Sequence, residues 1–390
     1  EVVGYNEYWI DIYNEVIDRR YNHLDNLLIV NKDERNVLLY NLLMVYDRGD
    51  YIVYDGWESW LDYYNLTLGS KVIAVDDVPI HEAVSNSFER SYLFYDYSLN
   101  RSYIQFLAPS NLGLSPKFTI ENTTSEIVEV NLFSNYSINY PSLNWRGFYP
   151  ALENVDTRLY PTDRVGYLQV SQMAYDPSLY YNQIMTFYDQ IENYDHLIID
   201  IRGNPGGNDY FWYENIVEPL LKENVESKSY IALKDGATYS HILRKENNYY
   251  FKKSKNSFDY LPPEVLAEEY KIYKFYSSFE SGENPVAFDG EISVLVDKYV
   301  YSSAEAFSVF CKNTGFATLY GTNTGGDGIG HQFFFVLPHS KLVIKYSFAL
   351  GLFESGHANQ EIHTSPDVYY QSAAGNWEEL IDFTINDLTS

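Results

Sequence analysis

The sequence is short of cysteine and of positive charge, and it has no long apolar run. One cysteine, Cys311, stands among 390 residues, so no disulfide can close within the chain. It lies in an apolar, helix-like stretch and reads as a packing residue. Lys and Arg total 27 against 54 Asp and Glu, a formal charge of −27. Long-range repulsion of that sign argues against nucleic acid and anionic lipid as partners and gives only weak support to a basic or neutral substrate. No stretch of 18 apolar residues occurs, so no membrane-spanning helix is expected. No signal peptide is visible, and the chain opens on Glu1 rather than Met, which reads as a processed or truncated start. That start fits export to the cell envelope or outside as well as a cytoplasmic place. Internal repeats and low-complexity tracts are absent. So are a Walker lysine pattern, a dinucleotide G-x-G-x-x-G and a G-x-S-x-G elbow. No His/Cys/Asp group has metal-ligand spacing, so neither metal nor cofactor is expected.

What the sequence does hold is apolar bulk and tyrosine. Apolar residues make up 45% and charged residues 21%, enough for a large core and too few charges for global disorder. The 40 tyrosines bring apolar area with a polar tip and suit half-buried positions, although Asn and Ile are also frequent and base composition is the simpler cause.

The length suggests two or three domains. Tyr8 to Arg20 places Trp9, Ile12, Tyr13, Val16 and Ile17 on one helical face. Runs over 37–46 and 51–54 are β-like and are parted by the turn signal Asp47-Arg48-Gly49-Asp50. Leu68 to Ile80 reads as a glycine turn, an alternating strand, an acidic turn and a second start, opening a β-rich module. From Arg164 strands alternate with helices, the pattern of an α/β fold. Val165–Val170 is a strand, and Asp176-Pro177 opens a helix with Asp as its cap. His196–Ile201 is an apolar run of a strand covered on both faces. Phe211–Leu221 is a helix that Pro219 should bend. Ile292–Val296 is another buried strand, and Ser303–Asn313 is a helix closed by Gly315. Runs at 317–320, 333–336 and 342–346 are expected to finish the sheet. The division that follows is 1–50 as an N-terminal helical cap with first strands, 51–160 as a β-rich module with connector, and 161–390 as the α/β core.

Three local patterns bear on chemistry. Val300-Tyr301-Ser302-Ser303-Ala304-Glu305 sets a serine at the mouth of a helix, where free N–H groups stabilise negative charge beside a nucleophile. The competing reading is an ordinary N-cap, with Glu305 completing a capping box. Arg202-Gly203-Asn204-Pro205-Gly206-Gly207 follows a buried strand, and its glycines allow backbone amides to approach a ligand. A plain tight turn explains it equally well. Gly321 to Gly328 is a third glycine-rich loop after a strand.

Taken in order, these stretches resemble the tail-specific (C-terminal processing) and tricorn-type serine peptidases. Asp200 to Gly207 resembles the family's Asp-Leu-Arg-x-Asn-x-Gly-Gly, Ser302-Ser303-Ala304-Glu305 its nucleophile region, Gly321–Gly328 its following loop, and Ser365-Pro366-Asp367-Val368 its Pro-Asp ending. Leu68–Ile80 resembles part of its PDZ-like module, so the likeness runs over roughly 65–370. It implies a crotonase-like (Clp-like) α/β core with a PDZ-like module and an N-terminal helical cap. It implies a serine endopeptidase acting on peptides or proteins, with Ser302 as nucleophile and the amides of Ser303 and of Gly206 or Gly207 as oxyanion hole. In the Ser-Lys branch a lysine follows the serine by 25 residues; Asp327 stands there in this chain, which turns the expectation away from that branch. The tricorn-like branch implies His23 as general base, with Gln360 at the place of an orienting glutamate and Glu361 one residue on. His331, His357 and His363 are fallback bases. A peptide-binding relative without turnover is the alternative, and a thioester or acyl-CoA hydrolase on the same core is a more distant one.

Overall fold

A computed structural model describes residues 42–56, 58–86, 94–105, 107, 116–131, 153–234, 252–267, 270–282, 286–329, 331–336 and 343–390. The expected first helix, with His23 after it, lies outside these residues. The chain divides into two compact units, one formed by 1–18, 29–151 and 371–379, the other by 19–28, 152–370 and 380–390.

The described part of the first unit is a sheet of β1 (Leu42–Asp47), β2 (Asp50–Gly56), β3 (Lys71–Val75), β4 (Val78–Pro79), β7 (Lys117–Glu121) and β8 (Ile127–Asn131). Its order is β1-β2-β3-β7-β8, with β4 beside β3. Two short helices, α1 (Glu58–Tyr63) and α2 (Ile80–Asn86), and a hairpin of β5 (Phe94–Asp96) and β6 (Arg101–Tyr103) accompany it. Arg48-Gly49 and Asp76-Asp77 turn the β1–β2 and β3–β4 hairpins with positive φ at both residues, the backbone that matches strand twist. Met44, Val53, Phe118 and Ile120 are fully buried in its core. Tyrosine serves there as a core residue with a polar tip: Tyr46 stacks on Tyr103 at 4.1 Å, and its hydroxyl donates to Asp96 at 2.6 Å.

The second unit is built on β9 (Val155–Tyr160), β10 (Val165–Val170), β11 (His196–Asp200), β15 (Glu291–Val296), β16 (Thr318–Gly321) and β19 (Val368–Tyr369). The order is β19-β16-β15-β11-β10-β9, parallel except for β9. Every residue of β10 is buried, Gln169 included, and in β11 Leu197 to Asp200 are buried, as the apolar run at 196–201 requires of a strand covered on both faces. Helix α3 (Ser178–Gln190) packs Ile184, Phe187 and Tyr188 into the core. Asp176 Oδ1 accepts from Ser178 N at 3.1 Å and Pro177 is already helical, so the pair opens α3 as the sequence indicates. The Pro219 region is helical but not one regular helix. α4 (Asp209–Trp212) passes through a π-helical turn, Tyr213–Val217, into α5 (Glu218–Leu220). Helix α7 (Ser303–Thr314) ends at Gly315, whose φ of 70° is left-handed and whose N–H closes on Cys311 O. Cys311 is buried in the core, as its apolar surroundings suggest.

One expectation is corrected. The runs after residue 330 do not finish the parallel sheet. β17 (His331–Val336) and β18 (Val343–Leu352) pair antiparallel with each other, and β18 continues onto β12 (Val225–Lys234). With β13 (Lys252–Lys253) and β14 (Tyr270–Phe279) they form a second sheet, ordered β13-β14-β12-β18-β17. Only a few residues join β17 to β18, and a parallel return needs a crossover of about a dozen or more. Three further helices complete the unit: α6 (Pro263–Leu266), α8 (Asn359–Ile362) and α9 (Glu378–Thr389), the last belonging to it from residue 380. Among the described residues no helix is long and apolar enough to cross a membrane.

Candidate active site

The serine comes first because its backbone is unusual. Ser302 follows β15 by a short turn and sits at φ 56°, ψ −117°, a conformation that L residues adopt only when their surroundings enforce it. Its N–H donates to Gly326 O at 3.1 Å, and its own carbonyl accepts from Ala306 N at 2.8 Å, starting α7. Its side chain makes no capping bond. The capping-box reading therefore fails: the N–H that Glu305 would take is held by Gly326, and Glu305 turns elsewhere. Ser302 is presented by the turn and is not consumed in capping the helix.

The loop after β11 presses against it. Gly206 has φ +97°, and a Cβ there would stand 2.6 Å from Tyr301 O and 2.8 Å from both Ser302 Cβ and Ser303 N. Only a bare Cα fits. Gly207 is held more closely still, a Cβ there standing 1.7 Å from Met173 O, and it forms an isolated parallel bridge with Met173. Asn204, fully buried, organises the turn: its Nδ2 donates to Val170 O at 3.0 Å, its Oδ1 accepts from Gly206 N at 2.9 Å, and its carbonyl accepts from Tyr301 N at 3.1 Å. The Gly206 amide, one of the two expected as oxyanion donors, is thus committed to Asn204. Gly206 contributes close approach, which leaves Gly207 and Ser303 as the candidate donors. Ser303 is the first residue of α7, where helical N–H groups have no partner within the helix.

Asp200 and Arg202 anchor this loop to the sheet. Arg202 Nη2 donates to Asp200 Oδ2 at 2.6 Å, Tyr167 OH donates to the same oxygen at 2.8 Å, and both charged side chains are buried. Asp297 holds the two turns together, its Oδ1 accepting from Gly203 N at 2.9 Å and Tyr299 N at 3.0 Å. Burial pushes the Asp297 carboxyl above its ordinary range, and those two donors pull against the shift.

On the other side lie the 321–328 loop and α8. Gly325 N donates to Val300 O at 2.7 Å. Asp327, at the place a lysine would hold, has φ 63° and accepts from Tyr301 OH at 3.1 Å through Oδ2. Gln360 and Glu361 are both buried on α8; Gln360 Oε1 accepts from Gly351 N at 3.2 Å. His363 follows at φ 56°, with Nδ1 2.7 Å from Thr324 O, and a Cβ on Gly326 would touch its ring. Burial brings the His363 imidazole down to about 4, so it is neutral near pH 7. His357 lies farther along, stacked on Tyr260 at 4.2 Å with Ser355 Oγ 3.2 Å from Nδ1. His331 is on β17, and only its backbone is described.

The fold therefore brings Ser302, Ser303, Gly206 and Gly207 together and places α8, with Gln360 and Glu361, beyond the glycine loop. His23 lies outside the described residues. The sequence alone did not reveal a buried polar group around Glu305. Its carboxyl has no exposed surface, accepts from Asn359 Nδ2 and Thr364 Oγ1 at 2.6 Å each, and is pushed by burial up to about 7. Its partners lie more than 50 residues away in the chain, and the only local signal, Glu at the third helical position, pointed to a cap. Among the described residues no group of acidic, His or Cys side chains is arranged to hold a metal ion.

The chain resembles known proteins in family and in fold. The model of peptidase family S41 matches residues 164–370, just over half of the chain. Among solved structures, mature CPAF aligns with 89% of this chain and 80% of its own at 14% identity, with a TM-score of 0.54, a likeness of fold. A putative peptidase from Parabacteroides merdae is 17% identical over 61% of this chain, at a TM-score of 0.44. The chain spans 65% of that protein, less than two thirds of its length. A photosystem II D1 C-terminal processing protease is 13% identical over 90% of this chain and 76% of its own, at a TM-score of 0.37. No curated protein matches the chain.

Proposed function

The chain belongs to peptidase family S41, and from that premise we propose that it is a serine endopeptidase that cuts peptide bonds through an acyl-enzyme on Ser302. The observation that carries this reading is the Ser302 turn: positive φ, N–H bonded to Gly326 O, side chain free of capping, and Gly206 packed against its Cβ. A hydroxyl so placed stands beside the first amide of α7, the arrangement acyl transfer requires.

In the proposed cycle Ser302 Oγ bonds to the substrate carbonyl carbon while His23 takes the hydroxyl proton. The carbonyl oxygen becomes an oxyanion facing the amides of Ser303 and Gly207; one such donor is worth about 2.7–4 kcal/mol of barrier. The C–N bond then breaks, His23 returns the proton to the leaving amine, and water releases the acyl group by the same route. His23 is assigned on the family resemblance. Gln360 and Glu361 are the residues assigned to orient it. The core is read as crotonase-like, and the β-rich unit as a PDZ-like module able to take an extended peptide along a sheet edge. The substrate is a peptide or protein.

A second reading has its own observation. Asp327 stands where the Ser-Lys branch has a lysine, and Gln360, a neutral amide whose Oε1 accepts from Gly351 N, stands where the tricorn-like branch has a glutamate. A relative that binds peptides without cutting them fits that pattern. Turnover of an unstructured protein substrate separates the two. The peptidase reading expects Ser302→Ala to lose at least about a thousandfold in kcat. A folded wild type that binds peptide with no turnover sinks it in favour of the second.

A further inference from the structure

The serine turn rests on a buried carboxyl that acyl transfer does not use. Glu305 lies in the first turn of α7 with no exposed surface. Oε1 receives both Asn359 Nδ2 and Thr364 Oγ1 at 2.6 Å. Each donor carries the connection on. Asn359 Oδ1 accepts from Gly328 N at 2.7 Å. Thr364 N donates to Thr324 Oγ1 at 2.9 Å, and Thr324 N donates to Thr364 O at 3.1 Å. Between Thr324 and Gly328 lies Gly326, whose carbonyl holds Ser302 N. The circuit closes: Ser302, the glycine loop, α8 and its following residues, Glu305, and back through α7 to Ser302.

We propose that Glu305 is a positioning residue for Ser302, its carboxyl clamping the glycine loop and α8 against the nucleophile turn in a way that depends on its ionisation. The kinetic half of this inference rests on the peptidase reading, and the structural half rests on the fold alone. The groups bonded to Glu305 are amides and hydroxyls. The titratable groups on the neighbouring segments are Asp327 in the loop, Glu361 on α8 and His363 beyond it, while Lys312 in the last turn of α7 pairs with Asp367.

Ionised, the carboxylate accepts more strongly from Asn359 and Thr364, as charge-assisted bonds do. Glu305 is pushed up from 4.5 to about 7, so the folded state holds its proton longer than the unfolded chain. Its stabilising contribution is full below 4.5 and is lost as pH rises to about 7. The clamp therefore tightens over the range in which overall stability falls. His363 runs the other way: its contribution is full above 6.5 and is lost as pH falls towards about 4.

The test compares wild type with Glu305→Gln, which keeps an acceptor oxygen but cannot ionise, and Glu305→Leu, which removes the acceptor. Hydrogen exchange is followed at 324–328, 358–364 and, as control, 196–200, between pH 5 and 8. The rate of fluorophosphonate labelling is read in parallel. The proposal expects Glu305→Leu to exchange about tenfold faster in the first two segments and not in the third. It expects Glu305→Gln to match wild type in protection at pH 5 and to lack the further protection that wild type gains in the first two segments as pH rises through about 7, while labelling, whose rising limb the base also shapes, is slower in Glu305→Leu than in wild type. A folded Glu305→Leu with wild-type protection overturns it, as does a Glu305→Gln protein that keeps the wild-type gain in protection at high pH. If Glu305→Leu does not fold, the Glu305→Gln comparison decides. If wild type never labels, the peptidase reading falls, and the pH dependence of exchange in Glu305→Gln against wild type still decides the clamp.

Discussion

At the scale of single residues, the site is made by atoms that are missing as much as by those present. Gly206 is needed because a Cβ would press on Tyr301 O, Ser302 Cβ and Ser303 N at once, from a φ that other residues rarely adopt. Gly206→Ala is expected to cost about 1–3 kcal/mol in stability. By displacing Ser302 it should also cost about a hundredfold in kcat/KM for a peptide substrate. Denaturant unfolding and steady-state kinetics measure the two, and an alanine variant with wild-type values for both contradicts the packing described. Such glycines were legible in the sequence because their constraint is local. The Glu305–Asn359–Thr364 cluster was not, because hydrogen bonds between segments more than 50 residues apart leave no local pattern. The spent amide of Gly206 was hidden for a different reason: Asn204 and Gly206 stand two residues apart in the motif, and only the turn's geometry shows that one side chain caps the other's N–H.

At the scale of elements, the ends of β11 and β15 carry the site, and Asp200, Arg202 and Asp297 fix the turns that leave them. Arg202 and Asp200 are both buried, so removing one partner leaves the other charge uncompensated. Arg202→Met should therefore destabilise by about 3–5 kcal/mol. A urea titration reads this as a lower midpoint with an unchanged m-value; a midpoint equal to wild type would show that the pair does not hold the turn. Strand β11 was readable because 196–201 is a continuous apolar run, the mark of burial on both faces, and β10 because it opens the strand–helix alternation. The second sheet was not. Runs such as 333–336 and 342–346 announce strands without saying which sheet takes them, and the pairing of β18 with β12 joins segments more than a hundred residues apart.

At the scale of the whole molecule, charge is the feature that acts at a distance. With a net −27, the chain should attract cationic peptides and repel anionic ones. The kcat/KM of a lysine-rich substrate is expected to fall several-fold between 50 and 500 mM salt, and that of a glutamate-rich one to rise, as screening shortens to a few ångströms. Equal salt dependence for the two would remove charge from substrate selection. The family likeness spans residues 164–370, within which Ser302, the Gly206 loop and α8 all fall. The central claim is that Ser302 is the nucleophile, and intact-mass analysis after fluorophosphonate treatment tests it most directly. A single adduct on wild type and none on a folded Ser302→Ala protein is the result this account predicts. A folded Ser302→Ala protein that still gains the adduct, or a folded wild type that never does, would contradict it.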